Sequence, residues 1–288
     1  MALSFTKCFS GFAVIALLVL VTELHAQNST WNTSAVTKKT EGAKHKVKDY
    51  KKHLENWGTD TSYNRAFLIG GKLNSDGWSG CMDFIKRKNY KINKFWQISF
   101  SEIKHEKQTK QQGTNSTYPQ LGNATPYVFG KINNLYTFQV GFGKEKLLLQ
   151  AVLDGNLSVS YRYSGGLSLA MLKPYYLKLI YIDNGGASAH LEQYTYNQSD
   201  SAYFLNPNSI LGASKWTTGL GNIDYVPGVY FETSIAIIPG KNKYFIQVVT
   251  LGINGACYAK QLPVLIDQVA LPWQVSLFAS FAIGERWK

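Results

Sequence analysis

From Arg65 onwards, apolar and polar residues alternate along the chain with a period of two. The clearest example is the stretch FWQISFS at residues 95–101, in which large apolar residues alternate with Gln and Ser. The same alternation recurs in residues 135–142, 157–164 and 273–284. A period of two is that of a β-strand with one apolar and one polar face. The pattern therefore predicts an all-β protein.

Five further stretches predict strands and complete the outline of the fold. They are residues 65–73, 78–87, 174–183, 228–239 and 243–253. Residues typical of turns separate several of them, as in Asn74–Gly77, whereas residues 104–118 and 184–225 form long polar connections. Strands of about ten residues, with short turns on one side and long loops on the other, are typical of bacterial outer-membrane barrels.

We therefore predict a closed antiparallel up-and-down transmembrane β-barrel. The stretches allow 8 to 12 strands, and the even number found in bacterial barrels favours about ten. A barrel of this size has a narrow interior, because water-filled pores need about 16 strands. A soluble secreted β-sandwich has similar sequence requirements and remains the alternative.

The N-terminal segment predicts export. Lys7 precedes the short apolar run at residues 11–21, and Ala26 offers the small residue that a cleavage site requires. The run is too short for a spanning helix of about 20 residues. We expect a signal peptide at residues 1–26, a Lys-rich and partly disordered periplasmic leader at residues 27–64, and the barrel at residues 65–288.

Composition is typical of a membrane β-barrel. Tyr, Gly and Phe number 18, 25 and 15, and only 17% of residues are charged, as strands and tight turns favour. The last predicted strand lies near the end of the chain and is bracketed by Trp273 and Trp287, as interfacial aromatic residues would be. The expected location is the outer membrane of a Gram-negative bacterium.

The net charge of +12 points to anionic partners. Residues 27–125 contain 17 Lys and Arg against 8 Asp and Glu, so the front of the chain is the basic part. The basic residues lack the interleaved aromatic residues of a nucleic-acid platform. We expect outer-membrane lipid and lipopolysaccharide as counter-charges, possible contacts with envelope-complex proteins, and no nucleic acid.

Cysteine and histidine show no catalytic or metal signature. Cys81 and Cys257 remain after removal of the signal peptide, and the sequence leaves open whether they pair. Ser188, His190 and Glu192 form the one local cluster of hydrolase residue types. Two or three polar residues in a surface loop are common, so we predict no catalytic, cofactor-binding or metal-binding residues and no enzyme activity. An outer-membrane lipid-modifying enzyme using His190 remains the weakest alternative.

Several segments resemble a poorly characterised family of outer-membrane β-barrel proteins from Bacteroidetes. The resemblance is carried by residues 70–80 (GGKLNSDGWSG), 94–111, 127–146, 160–177 and 281–287 (FAIGERW). It implies the fold and the location, and it provides no catalytic residues. The expected function is a structural or accessory component of an envelope complex, or a narrow selective channel.

Overall fold

The structure is a computed structural model, and part of the chain is described. The described residues are 64–89, 91–113, 123–149, 157–182, 189–196, 204–239, 245–266 and 268–287. The expected signal peptide at residues 1–26 lies outside them, as does the expected Lys-rich leader except for Asn64. No helix within these ranges is long and apolar enough to cross a membrane.

The described residues form thirteen strands. They are β1 (Arg65–Asn74), β2 (Gly77–Arg87), β3 (Ile92–Ile103), β4 (Lys110–Gln111), β5 (Tyr127–Val128), β6 (Asn133–Leu149), β7 (Ser158–Pro174), β8 (Tyr176–Ile182), β9 (Ala189–Thr195), β10 (Ile210–Ala213), β11 (Asp224–Ile238), β12 (Phe245–Tyr258) and β13 (Trp273–Trp287).

Eight of these strands close into an antiparallel barrel in the order β1, β2, β3, β6, β7, β11, β12 and β13. β13 returns to pair with β1, with Trp287 opposite Arg65. Each barrel strand therefore pairs with the barrel strands before and after it in the chain, which confirms the closed up-and-down barrel. A two-sheet sandwich is not the architecture observed.

The prediction of about ten strands was wrong, although eight lies within the predicted range. Eight of the nine predicted stretches are barrel strands. The stretch at residues 174–183 leaves the barrel: β7 ends at Pro174, and β8 pairs with β9 and β10 in a separate sheet. An alternating stretch has the same period in a barrel and in a loop sheet, so the pattern alone overestimates the barrel.

The two ends of the barrel differ in their connections. The start of β1 and the end of β13 lie together with the connections 88–91, 150–157 and 239–244, and we call this the terminal end. The connections 104–132 and 175–223 leave the opposite end, the loop end, which also carries the loop 259–272 and the tight β1–β2 turn. The small β4–β5 and β10–β8–β9 sheets belong to the loop end.

The two faces of the barrel wall have opposite chemistry. Large apolar side chains on the outside are exposed, such as Trp96 at 59%, Leu167 at 73% and Leu277 at 61%. Polar side chains on the inside are buried, such as Gln97 at 2% and Thr137 at 1%. A soluble barrel would show the reverse.

Cys81 is also buried and is a free thiol, so it does not pair with Cys257.

Candidate functional site

An apolar layer closes the interior at the terminal end. It consists of Ala66, Leu68, Ile85, Phe95, Ala236, Ile246, Val248 and Ala282. Six of the eight barrel strands contribute to it, and Phe95 is its largest side chain, with only 2% of its surface exposed. Side chains packed in this way leave few voids as large as a water molecule.

A buried ion pair lies next to this layer. The guanidinium of Arg162 on β7 donates to the carboxylate of Asp83 on β2, across the interior from one wall to the other. The Arg162 guanidinium carbon lies 4.3 Å from the ring centroid of Phe95. Glu145, also buried, accepts a 2.7 Å hydrogen bond from Ser160. Opposed charges are therefore held together where the apolar layer excludes water.

A second buried ion pair lies nearer the middle of the barrel. Lys72 on β1 donates to Glu232 on β11 over 2.7 Å, and both side chains are nearly inaccessible, at 6% and 7%. Glu232 also accepts from Gln97 at 3.3 Å and from Asn254 at 3.1 Å. The Lys72 ammonium lies 4.6 Å from the ring centroid of Phe278. Both charges thus have several partners, which buried charges require.

Hydrogen bonds extend this network towards the loop end. Gln139 accepts from Ser99 at 3.4 Å and from Asn254 at 3.2 Å, and donates to Ser168 at 3.5 Å. Ser168 in turn bonds the hydroxyl of Tyr258 at 3.0 Å. Four of the eight strands are linked in this way through their inward side chains.

A cavity of about 20 Å³ lies in this network beside Lys72, Glu232, Asn254 and Gln274. It is large enough for about one water molecule. The inward residues from the apolar layer to the middle of the barrel are almost all buried. The described part of the interior is therefore largely filled by side chains.

The loop end is covered by apolar side chains from the long connections. They are Val128, Leu262, Val264 and Leu265, which pack on Leu135, Ala170, Leu172, Val226, Tyr230, Ala256 and Tyr258 of the barrel. We call these residues and the segments that carry them the cap. Backbone hydrogen bonds stabilise it: Ile132 donates to Val264 at 2.9 Å, and Lys131 and Leu265 form a β-bridge. The mouth of the barrel is thus capped by its own loops.

Lys131 is a buried cation inside this cap. Its side chain is 6% exposed, donates to Gln108 at 3.1 Å and lies 5.4 Å from the ring centroid of Tyr175. Burial lowers the pKa of Lys131 from 10.5 to about 8, and nearby lysines lower it further, while the charge of Glu102 acts in the opposite direction. The cap therefore holds a lysine whose pKa lies well below its ordinary value.

The β10–β8–β9 sheet has its own small core and is tied to the barrel. Leu177, Leu179, Phe204, Ile210 and Tyr127 form that core. One link to the barrel is made by Trp216, whose indole donates to the hydroxyl of Tyr136 at 3.0 Å and whose ring centroid lies 5.1 Å from the ammonium of Lys173. The loop end is therefore a folded domain on the barrel, which we call the loop domain.

The residues weighed as a hydrolase cluster do not form a site in the described structure. His190 lies on the exposed strand β9, 3.2 Å from Glu192, and Ser188 lies outside the described residues. Among the described residues no group of three or more His, Cys, Asp and Glu is close enough to hold a metal ion. The prominent buried polar residues are instead the two interior ion pairs, which were not predicted. The sequence feature that could have indicated these ion pairs is a charged residue on the polar face of an alternating strand.

No protein-family model and no curated protein matches the chain. Solved structures to which the chain is similar include Neisserial surface protein A, Ail of Yersinia pestis and the N-terminal β-barrel domain of Pseudomonas aeruginosa OprF. The sequence identities are 10%, 7% and 8%, and the TM-scores are 0.35, 0.35 and 0.31. The matches cover 77%, 78% and 78% of this chain and 95%, 99% and 99% of the others.

These likenesses are loose, so the fold rests on the strand pairing of the chain itself. None of these three structures is named as coming from Bacteroidetes. The resemblance to a Bacteroidetes family therefore stays a prediction from the sequence.

Proposed function

We propose that the protein is an integral barrel of the bacterial outer membrane and a non-conducting structural or accessory component of an envelope complex. The observation that carries the proposal is an apolar, exposed outer wall around a buried polar interior. Contiguous exposed apolar surface on this scale is unusual in soluble monomers. A closed barrel also pairs all of its strand edges, which a structure surrounded by lipid requires.

The connections support one orientation in that membrane. Outer-membrane barrels have short turns on the periplasmic side and longer loops outside the cell. The terminal end, with its short connections, would face the periplasm. The loop domain would then face the outside, among lipopolysaccharide molecules, where it is available to protein partners.

The filled interior favours a structural or accessory role over a narrow selective channel. A solute would have to pass the capped mouth, the Lys72–Glu232 and Arg162–Asp83 pairs, and the apolar layer. Breaking a buried ion pair leaves an uncompensated charge, at a cost of about 3–5 kcal/mol. A channel would therefore need a large rearrangement of the interior.

The residue chemistry also favours a role without catalysis. His190 and Glu192 are exposed on a loop strand, away from any described cleft. The interior charges are paired with each other and buried, which leaves no described nucleophile beside a free base. We infer that the loop domain acts by binding.

Two measurements on the purified protein test this proposal. Refolded in phospholipid vesicles, it should migrate differently on gels before and after boiling, as closed barrels do, and it should leave a planar bilayer without stepwise conductance. A protein that stays in the aqueous phase and shows no heat-dependent migration would refute the membrane location. Reproducible single-channel steps would refute the non-conducting role.

A further inference from the structure

A row of four cations crosses the outer wall near the terminal end. The members of this basic row are Arg65 on β1, Lys86 on β2, Lys94 on β3 and Lys144 on β6, and all four are exposed. Each is directly opposite the next in the register of neighbouring strands. Like charges placed directly opposite destabilise a sheet. The row therefore costs stability unless an anion lies against it.

A row of aromatic residues runs beside the basic row, on the same four strands. Its members are Phe67, Phe84, Trp96 and Phe142, each two residues closer to the middle of the barrel than the cation of its strand. The ring centroids of Phe67 and Phe84 are 5.0 Å apart, and those of Trp96 and Phe142 are 5.5 Å apart. The Lys94 ammonium lies 5.9 Å from the centroid of Phe142. Aromatic residues followed by cations match the change from acyl chain to headgroup at a membrane surface.

The described carboxylates do not neutralise the basic row. None of its members forms an ion pair with a described carboxylate. Glu145, next to Lys144 in the chain, points inwards and accepts from Ser160. The row ends in aromatic neighbours, with Trp287 opposite Arg65 and Tyr163 opposite Lys144. The described acid on the adjoining outer wall is Glu285 on β13, which lies opposite Phe67.

The row is also confined to one flank. Outward positions near the terminal end of the other four barrel strands are Val159, Tyr161, Ile235, Ile237, Phe245, Gln247, Ile283 and Glu285. The charged residue in this list is Glu285, which is an acid. Among the described outward positions at this end, the cations therefore lie on four neighbouring strands, which non-specific attraction to a membrane surface would not require.

We propose that the basic row binds the phosphate groups of anionic phospholipids in the periplasmic leaflet of the outer membrane. The proposal rests on the location and orientation proposed above. Barrel strands tilt by about 35–45°, so the row climbs across the membrane interface. Long Lys stems can extend along an apolar wall, which lets the ammonium groups reach one layer of phosphates. One flank of the barrel would thus carry a bound anionic lipid.

Lipid retention by the full-length protein tests the proposal. The protein is reconstituted in bilayers of mixed phosphatidylglycerol and phosphatidylcholine, extracted in mild detergent, and its bound lipids are counted by native mass spectrometry. The wild type should retain phosphatidylglycerol in preference to phosphatidylcholine. The triple variant K86Q/K94Q/K144Q should lose at least about tenfold of this preference, since each basic residue near an anionic surface is worth roughly fivefold in affinity.

The matched control is K110Q/K215Q/K260Q, which removes the same charge from exposed lysines at the loop end. It should keep the preference. Equal retention of both lipids by the wild type, or equal loss in both triple variants, would overturn the proposal while leaving the barrel intact. A preference for lipid A at the basic row would also overturn it, because lipid A belongs to the opposite leaflet. Failure of the wild type to enter phosphatidylcholine vesicles would instead refute the membrane location, and with it this inference.

Discussion

At the residue scale, the interior is held by charges whose partners lie far apart in sequence. Alternation could predict that Lys72, Asp83, Arg162 and Glu232 point inwards, because each lies at a polar position of an alternating strand. It could not predict their pairing, since Lys72 and Glu232 meet only when β1 and β11 are brought to opposite walls of one barrel. The pairing depends on strand number, and that number was overestimated.

Removing one partner of the central pair tests its importance. Glu232→Gln leaves the Lys72 ammonium buried without a full counter-charge, so the free energy of unfolding should fall by about 3–5 kcal/mol. Urea unfolding in vesicles, followed by tryptophan fluorescence, measures the change. The control Glu106→Gln removes an exposed loop carboxylate and should change stability by less than about 0.5 kcal/mol. Equal effects of the two substitutions would contradict a structural role for the pair.

The lowered pKa of Lys131 should make the stability of the protein depend on pH. Its pKa in the folded protein, about 8, lies below its ordinary value of 10.5, so the unfolded chain binds more protons between these two values. The free energy of unfolding should therefore rise as pH increases from about 8 to about 10.5. This gain should be lost again as pH falls through 8. The gain should be up to about 3 kcal/mol relative to Lys131→Met, which cannot titrate.

The measurement is the unfolding free energy of wild type and Lys131→Met across this pH range. Lys260→Met, which removes an exposed lysine of the cap, serves as the control and should follow the wild type. A pH dependence that persists unchanged in Lys131→Met would show that another group is responsible.

At the element scale, eight of the nine predicted stretches correspond to barrel strands. β8 shows why the ninth does not: its alternation serves a small loop core containing Leu177 and Leu179 rather than the barrel wall. The short strands β4, β5 and β10 have two to four residues, too few for a period to be recognised. They form because the long connections fold over the barrel mouth.

The loop domain is linked to the barrel by the side chain of Trp216. Trp216→Ala removes its hydrogen bond to Tyr136 and its contact with Lys173, together worth about 1–2 kcal/mol. The open form of the loop should become roughly five to thirty times more populated. Limited proteolysis between residues 175 and 223 should accelerate accordingly while the barrel keeps its heat-dependent migration. Leu220→Ala, in the same loop, is the control, and equal acceleration by both would contradict the tether.

At the scale of the whole molecule, the sequence predicted the architecture better than the function. Period-two alternation and the positions of the turns could be predicted because they depend on neighbouring residues, whereas the number of barrel strands could not. The basic row could not be predicted either, because its members come from four strands and become neighbours only through the register. The net charge of +12 does not show which of the basic residues become neighbours.

The most direct test of the account is the solvent seen by consecutive residues of β13. Spin labels are placed one at a time at residues 275–283 of a chain whose cysteines are replaced by serine, reconstituted in bilayers. Collision with oxygen, which concentrates in lipid, should be high at the outward positions Val275, Leu277, Ala279, Phe281 and Ile283, and low at Ser276, Phe278, Ser280 and Ala282. Outward positions that collide preferentially with a water-soluble nickel reagent, or a profile without a period of two, would contradict a barrel embedded in the membrane.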